Sequence, residues 1–177
     1  MLKIALISDT HVPDQIRRLP SRLIERLHSV DLILHAGDLV RLDVLESLRS
    51  VARVIAVHGN MDEPTVLRRL PRKRLLTLAG RRVGLIHGNQ APAIERQYLK
   101  PGYSYDAPPM GAFYDYLLGE FPDAEVIVFG HLHVPVVKTW HSCLLVNPGP
   151  VAPNRGRSSF ALLRLEGSGA EVEAVDL

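Results

Sequence analysis

The chain is poor in cysteine and in long apolar runs. Its 177 residues include a single cysteine, Cys143, so no disulfide can form within the chain. No uninterrupted apolar segment approaches the roughly 20 residues that a membrane-spanning helix needs. Polar residues follow soon after the first strand-like run, which is unlike a secretory signal peptide. We therefore expect a cytoplasmic protein that does not span a membrane, with Cys143 as a buried apolar residue.

A strong net charge is also missing. Lys and Arg number 21 against 19 Asp and Glu, which gives a net charge of +2. So small a charge argues against nucleic acid or a membrane surface as a partner. One stretch is locally basic and contains Arg68, Arg69, Arg72, Lys73, Arg74, Arg81 and Arg82. We interpret it as the solvated surface of a helix end and a hairpin, with a polyanion-binding patch as the alternative.

The first half of the sequence alternates between strand-like and helix-like segments. Apolar runs predict strands at 2–7, 32–34 and 54–57. The spacing of apolar residues, together with residues that favour helix starts, predicts three helices. They lie at 19–27 with Ser21 as N-cap, around 42–48, and from Pro64 onward. Such alternation is typical of parallel βαβ units.

The second half is richer in antiparallel strands. Strands at 75–78 and 82–86 flank a predicted hairpin turn at 79–81. Further elements are predicted as strands at 126–129, 134–140, 144–147, 159–165 and 170–175, and as a short helix at 113–121. Two sheets packed face to face, with helices outside, would bury both groups of strands. The length suits one domain, residues 1–177.

Residues 91–112 fit neither the strand–helix alternation of the first half nor the antiparallel strands of the second. The segment contains four prolines, two glycines and three tyrosines. Long irregular loops within compact domains are uncommon and often functional. Because this one separates two of the segments described next, we predict a lid over a site. The alternative is a surface excursion, or a contact between copies in a homo-oligomer that uses exposed tyrosines.

Residue types that bind metals recur where the strand-like runs end. They are Asp9, His11, Asp38, Asn60, His87, His131 and His133. A divalent ion that hydrolyses a phosphate ester needs carboxylate, imidazole and amide-oxygen ligands with open positions for water and substrate. Glycines at 37, 59, 88 and 130 would let the backbone turn sharply beside these ligands. The set predicts a two-metal hydrolytic site, because one carboxylate can bridge two ions about 3.5–4 Å apart.

The order of these motifs resembles that of the calcineurin-like metallophosphoesterases, which is D-x-H, G-D, G-N-H-[DE], H and G-H-x-H. The corresponding residues are Asp9-Thr10-His11, Gly37-Asp38, Gly59-Asn60-Met61-Asp62, His87 and Gly130-His131-Leu132-His133. The small size and the Asn147-Pro148-Gly149 turn are most similar to the compact bacterial and archaeal phosphodiesterases of that family. The resemblance implies an α/β fold, a four-layer sandwich of two mixed β-sheets flanked by helices.

The resemblance also implies how the ions are held and what they do. The first ion would be bound by Asp9, His11, Asp38 and His133, and the second by Asp38, Asn60, His87 and His131. A hydroxide between the ions would attack phosphorus in line. Ligation without thiolate favours two divalent transition-metal ions over calcium, manganese first, with nickel, iron, cobalt or zinc as alternatives. Catalytic roles are predicted for Asp38, Asn60, His87 and Asp62.

The Asn60 motif departs from the family pattern at its next residue. Met61 replaces the histidine thought to protonate the leaving group, and a thioether cannot donate that proton. Substrates with good leaving groups should therefore be favoured. Asp62 is retained and would orient His87 or His131.

Three other positions carry weaker predictions. Pro150 stands where the compact enzymes usually have serine, so Arg155 or Arg157 could contact the substrate phosphate instead. A solvated loop is the more ordinary place for such arginines. His35 and His58 precede ligand motifs and, by strand alternation, are expected to be structural, with one of them as a proton donor as the alternative.

These observations predict a metal-dependent phosphoesterase, first of all a phosphodiesterase, with a phosphate ester as its substrate. The alternative is a non-catalytic, metal-binding scaffold, like the retromer-subunit relatives of this fold. All seven ligand positions here are suitable, which favours retained catalysis. A nucleic-acid or protein substrate is less expected, because the tyrosines and the arginines lie in separate segments.

Overall fold

The computed structural model of the protein describes residues 1–99, 108–167 and 169–177, with the side chains of residues 108 and 109 outside that description. In chain order the elements of this part are β1 (Leu2–Ile7), α1 (Ser21–Leu27), β2 (Leu32–His35), α2 (Asp43–Arg49), β3 (Arg53–Ala56), α3 (Pro64–Arg69), β4 (Lys73–Leu78), β5 (Arg81–Ile86), α4 (Pro92–Glu95), α5 (Pro108–Glu120), β6 (Val126–Val128), β7 (Pro135–Trp140), β8 (Cys143–Pro148), β9 (Ser159–Glu166) and β10 (Gly169–Asp176).

The strands form two mixed five-stranded sheets. The first has the order β10-β9-β1-β2-β3, in which β1, β2 and β3 are parallel and β9 runs antiparallel to β1. The second has the order β4-β5-β6-β8-β7, in which β5, β6 and β8 are parallel and the two edge strands are antiparallel. The predicted α/β fold with two mixed sheets is confirmed.

Three apolar clusters separate four layers. The outer cluster on the first sheet joins its strands to α1, α2 and α3, with Leu23, Leu45 and Val66 among its buried members. The middle cluster lies between the two sheets and is built from aliphatic side chains such as Leu34 and Val128. The third cluster packs α5 on the second sheet. The central strands are buried on both faces, which explains why their sequences are continuously apolar rather than alternating between apolar and polar residues.

Element bounds follow the sequence predictions with a few corrections. Pro64 begins α3 as predicted. Ser21 is the first residue of α1 and makes no capping hydrogen bond, so its assignment as the N-cap was wrong. The hairpin turn is shorter than predicted: Ala79 and Gly80 both have positive φ, and β5 begins at Arg81. Positive φ at both central residues is typical of a two-residue type I′ turn.

The segment 91–112 is not irregular throughout, which corrects its description as a loop. It contains the short helix α4, and α5 begins at Pro108, five residues before the predicted start. Tyr98 is only 3% exposed and belongs to the third apolar cluster, so it cannot serve as an exposed interface residue. Tyr103 and Tyr105 lie outside the described residues.

Four of the seven cations in the basic stretch have acidic partners. Arg72 and Lys73 both pair with Glu120 at the end of α5. Arg81 lies 2.9 Å from Glu125, and Arg82 lies 3.4 Å from Asp123. These pairs tie Arg72 and the β4–β5 hairpin to the end of α5 and to the segment after it. Cations engaged in this way favour the solvated-surface interpretation over a polyanion-binding patch. No helix within the described ranges is long and apolar enough to cross a membrane.

Candidate metal centre

The predicted ligands meet where the parallel strands of both sheets end. Asp9 follows β1 and Asp38 follows β2 in the first sheet, whereas His87 follows β5 in the second. The imidazole Nδ1 of His87 lies 2.8 Å from the Ala36 carbonyl oxygen, which joins the two strand ends directly. The Gly130 N–H donates to the His87 carbonyl oxygen at 3.0 Å and brings the His131 segment to the same edge.

Five of the seven predicted ligands have a left-handed backbone. The φ values are 52° for Asp9, 43° for His11, 56° for Asp38, 68° for His131 and 54° for His133. For a residue with a Cβ atom this conformation costs roughly 1–2 kcal/mol. Residues are held in such conformations where the surrounding structure fixes them, and they cluster at functional sites. Here the turns are fixed by backbone hydrogen bonds, such as Asp9 N–H to Gly37 O and His11 N–H to Asp38 O, both 3.0 Å.

The glycines beside the ligands act in two different ways. Gly37 and Gly88 have positive φ, as expected for sharp turns, whereas Gly59 and Gly130 do not. Gly59 is required by space instead, because a Cβ atom there would lie 2.1 Å from Asp38 Oδ1. A positive φ is therefore the requirement at Gly37 and Gly88, and space beside a carboxylate is the requirement at Gly59, which allows Asp38 to lie against the backbone.

Four of the predicted residues form one compact cluster, termed here the first set: Asp9, His11, Asp38 and His133. One ligand atom from each lies within 4.8 Å of every other. His133 Nε2 is 3.2 Å from Asp9 Oδ1 and 3.2 Å from His11 Nε2. His11 Nε2 is 3.8 Å from Asp38 Oδ2. Two carboxylates and two imidazoles converging in a buried position form a donor set that suits a divalent transition metal.

The charges of the first set also fit a cation. Burial alone would raise the pKa of Asp9, but the hydrogen bond from His133 and the neighbouring His87 lower it to about 2. Asp9 Oδ2 is buried and has no hydrogen-bond partner among the described residues. A buried carboxylate oxygen without a partner is costly unless a charged group compensates it. A divalent ion held by this cluster would be such a group.

The other predicted ligands, termed the second set, are Asn60, His87 and His131, with Asp38 shared. His87 Nε2 lies 3.2 Å from Asp38 Oδ2 and 3.1 Å from Asn60 Oδ1. Burial would lower the pKa of His87, but its hydrogen bond to Asp38 raises it to about 9. The rings of His87 and His131 lie 5.2 Å apart between centroids. The same Oδ2 atom of Asp38 thus faces an imidazole of each set.

Asp62 plays a different part from the one expected. Its carboxylate accepts the backbone N–H groups of Gly59 at 2.7 Å, Val40 at 2.6 Å and Asp38 at 3.2 Å. The hydrogen bonds of the described residues include none from Asp62 to His87 or His131, so the expected contact with an imidazole was wrong. His87 is oriented by the Ala36 carbonyl instead. Asp62 therefore joins the two ligand-bearing turns after β2 and β3.

His35 connects the two turns that carry Asp9 and Asp38, through contacts with Thr10 and Gly37. Its Nδ1 accepts the Gly37 N–H at 3.2 Å, which leaves Nε2, 3.2 Å from Thr10 Oγ1, to carry the proton. His35 is fully buried, and this burial lowers its pKa to about 4. A neutral imidazole with both nitrogens in use has the structural role that was predicted.

Glu95 is a residue of the site that the sequence analysis missed. It ends α4, and its Oε1 atom lies 2.8 Å from Nε2 of His131. No motif marks it. The nearest signal in the sequence is its place in the segment between His87 and His131.

Three other residues singled out in the sequence are exposed. Arg155 and Arg157 lie on the surface. Met61 is 53% exposed, and its backbone N–H donates to Asp38 Oδ1 at 2.8 Å.

Comparisons with known proteins show the family to which the chain belongs. The family model described as the calcineurin-like phosphoesterase superfamily domain matches residues 2–168. This chain belongs to that superfamily. A relative named probable metallophosphoesterase, from Methanothermobacter thermautotrophicus, is 35% identical over 173 residues, which cover 97% of this chain and 91% of the relative. The resemblance inferred from the motifs is therefore confirmed.

Two solved structures share the whole fold. One, described as a novel archaeal phosphodiesterase, has a TM-score of 0.72 at 20% identity and covers 99% of this chain and all of that one. Another is Vps29 from Entamoeba histolytica in complex with zinc, with a TM-score of 0.70 at 23% identity and 99% of each chain covered. At such identities the likeness shows the fold alone. The donor set of this chain must therefore carry the functional argument for this phosphoesterase.

Proposed function

We propose that this phosphoesterase is a phosphodiesterase that works with two divalent transition-metal ions, manganese first. The observation that carries the proposal is the position of Asp38. Its Oδ2 atom lies 3.8 Å from Nε2 of His11 in the first set and 3.2 Å from Nε2 of His87 in the second. One carboxylate shared between two groups of ligands is the arrangement that two-metal hydrolases use.

The residues would divide the work as the family motifs imply. Asp9, His11 and His133 would hold one ion, Asn60, His87 and His131 the other, and Asp38 both. Bound ions would supply a nucleophile from water at neutral pH and would stabilise negative charge on the phosphoryl oxygens. The orientation of His87 by the Ala36 carbonyl keeps its Nε2 directed at Asp38.

The lack of a side-chain proton donor at Met61 supports a preference among substrates. A leaving group that departs as a stable anion needs no proton, whereas a poor one does. The thioether of Met61 cannot donate a proton, and the described contacts of this residue are made by its backbone. Diesters with acidic leaving groups should therefore be hydrolysed faster than diesters of simple alcohols.

The test is hydrolysis of bis-p-nitrophenyl phosphate compared with p-nitrophenyl phosphate. Protein stripped of metal is supplied with manganese, nickel or zinc, and Asp9→Asn serves as the inactive variant beside the exposed Asp14→Asn as its matched control. Metal-dependent cleavage that prefers the diester, and that only Asp9→Asn abolishes, is the expected result. Two bound ions with no turnover of either compound would overturn the proposal in favour of a metal-binding scaffold.

A further inference from the structure

Glu95 brings a carboxylate to an otherwise unpartnered nitrogen of the second set. Its Oε1 atom lies 2.8 Å from His131 Nε2. The two atoms are not aligned as a hydrogen bond, and His131 Nε2 is a buried atom with no hydrogen-bond partner among the described residues. Two groups that can act as metal ligands thus lie side by side without forming a hydrogen bond. Such a pair suits a cation placed between them.

The position of Glu95 is held by hydrogen bonds of neighbouring residues, one of which is anchored in the core. The backbone N–H of Gln90 donates to Glu95 Oε1 at 2.7 Å. The Tyr98 hydroxyl in turn donates to the side-chain oxygen of Gln90 at 2.8 Å. The Tyr98 ring is buried and lies 5.0 Å from the ring of Phe113 on α5. The segment that carries Glu95 is therefore tied to the third apolar cluster on both sides of α4.

The distance between the two atoms is close to the distance between neighbouring ligands of one ion. Nitrogen and oxygen ligands at about 2.0–2.2 Å from a transition metal lie roughly 3.0–3.5 Å from each other at octahedral or tetrahedral angles. Pairs already assigned to the second set have this spacing, at 3.2 Å for His87 and Asp38 and 3.1 Å for His87 and Asn60. The Glu95 and His131 pair, at 2.8 Å, is only slightly closer.

We propose that Glu95 is an additional ligand of the second metal position. The inference rests on the two-ion site proposed above. Without Glu95 the second ion would have one carboxylate, the shared Asp38, together with two imidazoles and one amide. A second carboxylate adds the negative charge and the oxygen donor that manganese prefers over zinc. The second ion shares the Asp38 carboxylate with the first ion. Glu95 would give it a carboxylate of its own and so help to retain it.

The experiment measures metal binding itself, by titrating metal-stripped full-length protein with Mn²⁺ in a calorimeter. The wild-type chain is compared with Glu95→Gln, which keeps the shape and removes the charge, and with the exposed Glu46→Gln on α2 as the matched control. We expect weaker binding of one ion by about 10–100-fold in Glu95→Gln, the other ion unchanged, and no effect in the control. Thermal unfolding of the metal-free proteins checks that the variants fold.

A spectroscopic readout separates coordination from an indirect effect. The visible absorption of bound Co²⁺ depends on the number and kind of its ligands, so Glu95→Gln should alter the spectrum of the weaker ion alone. Two ions bound with unchanged affinity and spectrum in Glu95→Gln would overturn the Glu95 assignment and leave the proposed function standing. Tighter binding in that variant would show that Glu95 competes with the ion and would also overturn it. Wild-type protein that binds one ion would instead overturn the two-ion function, and this inference with it.

Discussion

In the first ligand set every member has a left-handed backbone, whereas Asn60 and His87 of the second set do not. The first set lies on turns fixed by backbone hydrogen bonds, and its ligand atoms already lie within 4.8 Å of one another. The second set depends on His131, which contacts Glu95 on the short helix α4. The difference teaches that the first set is preorganised by the sheet ends, whereas in the proposed scheme the second set would be completed by a segment outside the sheets. The first ion should therefore bind more tightly.

The largest effect should come from removing the residue that the two sets share. In Asp38→Asn the charge facing both His11 and His87 is lost, and we expect both ions to bind more weakly and diester hydrolysis to fall by on the order of 10²–10³ or more. Metal content by mass spectrometry and initial rates measure the two effects. The exposed Asp14→Asn is the control. Full activity of Asp38→Asn would remove the bridge from the scheme.

The division between the sets is tested by one histidine from each. His133→Ala should weaken the ion of the first set, because it removes the imidazole that lies 3.2 Å from Asp9 Oδ1, and His131→Ala should weaken the other ion. We expect about 10–100-fold changes in the affinity concerned, with the remaining ion little affected. Calorimetric titration with Mn²⁺ resolves the two events. If both substitutions weakened the same ion, the division would be wrong.

A smaller and more local effect should follow from crowding Asp38 without changing it. In Gly59→Ala the new methyl group would lie 2.1 Å from Asp38 Oδ1, so the carboxylate or the turn must shift. We expect the free energy of unfolding to fall by about 1–3 kcal/mol and metal binding to weaken. Gly119→Ala on α5 is the matched control, because a Cβ atom there meets open space. Equal behaviour of the two variants would mean that the fit around Asp38 is looser than the structure shows.

The support behind the first set should appear as a pH dependence of stability. In the unfolded chain His35 has its ordinary pKa near 6.5, whereas burial lowers the pKa to about 4 in the folded protein. As the pH falls, the unfolded state therefore takes up the proton first. The contribution of neutral His35 to the free energy of unfolding is full above pH 6.5 and is lost as the pH falls from about 6.5 to 4. For metal-free protein this loss amounts to about 2–4 kcal/mol.

Urea unfolding at several pH values measures this loss. His35→Gln, which does not titrate, should show a flatter profile between pH 4 and 6.5 than the wild-type chain. The exposed His28→Gln should follow the wild type. A wild-type profile as flat as that of His35→Gln would contradict the low pKa of the buried imidazole.

The sequence was sufficient for the strand ends and their chemistry. Apolar runs followed at once by Asp9, Asp38 and His87 indicate buried strands that end in metal-binding residue types, because residue pattern and residue chemistry are both local properties. Pro64 at the start of α3 and the hairpin before Arg81 are local in the same sense. These features bounded the fold class and the set of candidate ligands before any distance was known.

The tertiary structure decided the contacts that join distant segments. Asp62 was expected beside an imidazole, but the turns after β2 and β3 bring three backbone N–H groups to its carboxylate instead. Glu95 carries no motif, and it lies against His131 in a segment held by Gln90 and by the packing of Tyr98 against Phe113 of α5. Sequence determines which groups can bind a metal, because that depends on the residue alone. Which atoms meet depends on how two sheets and a helix pack, and no short stretch of sequence contains that information.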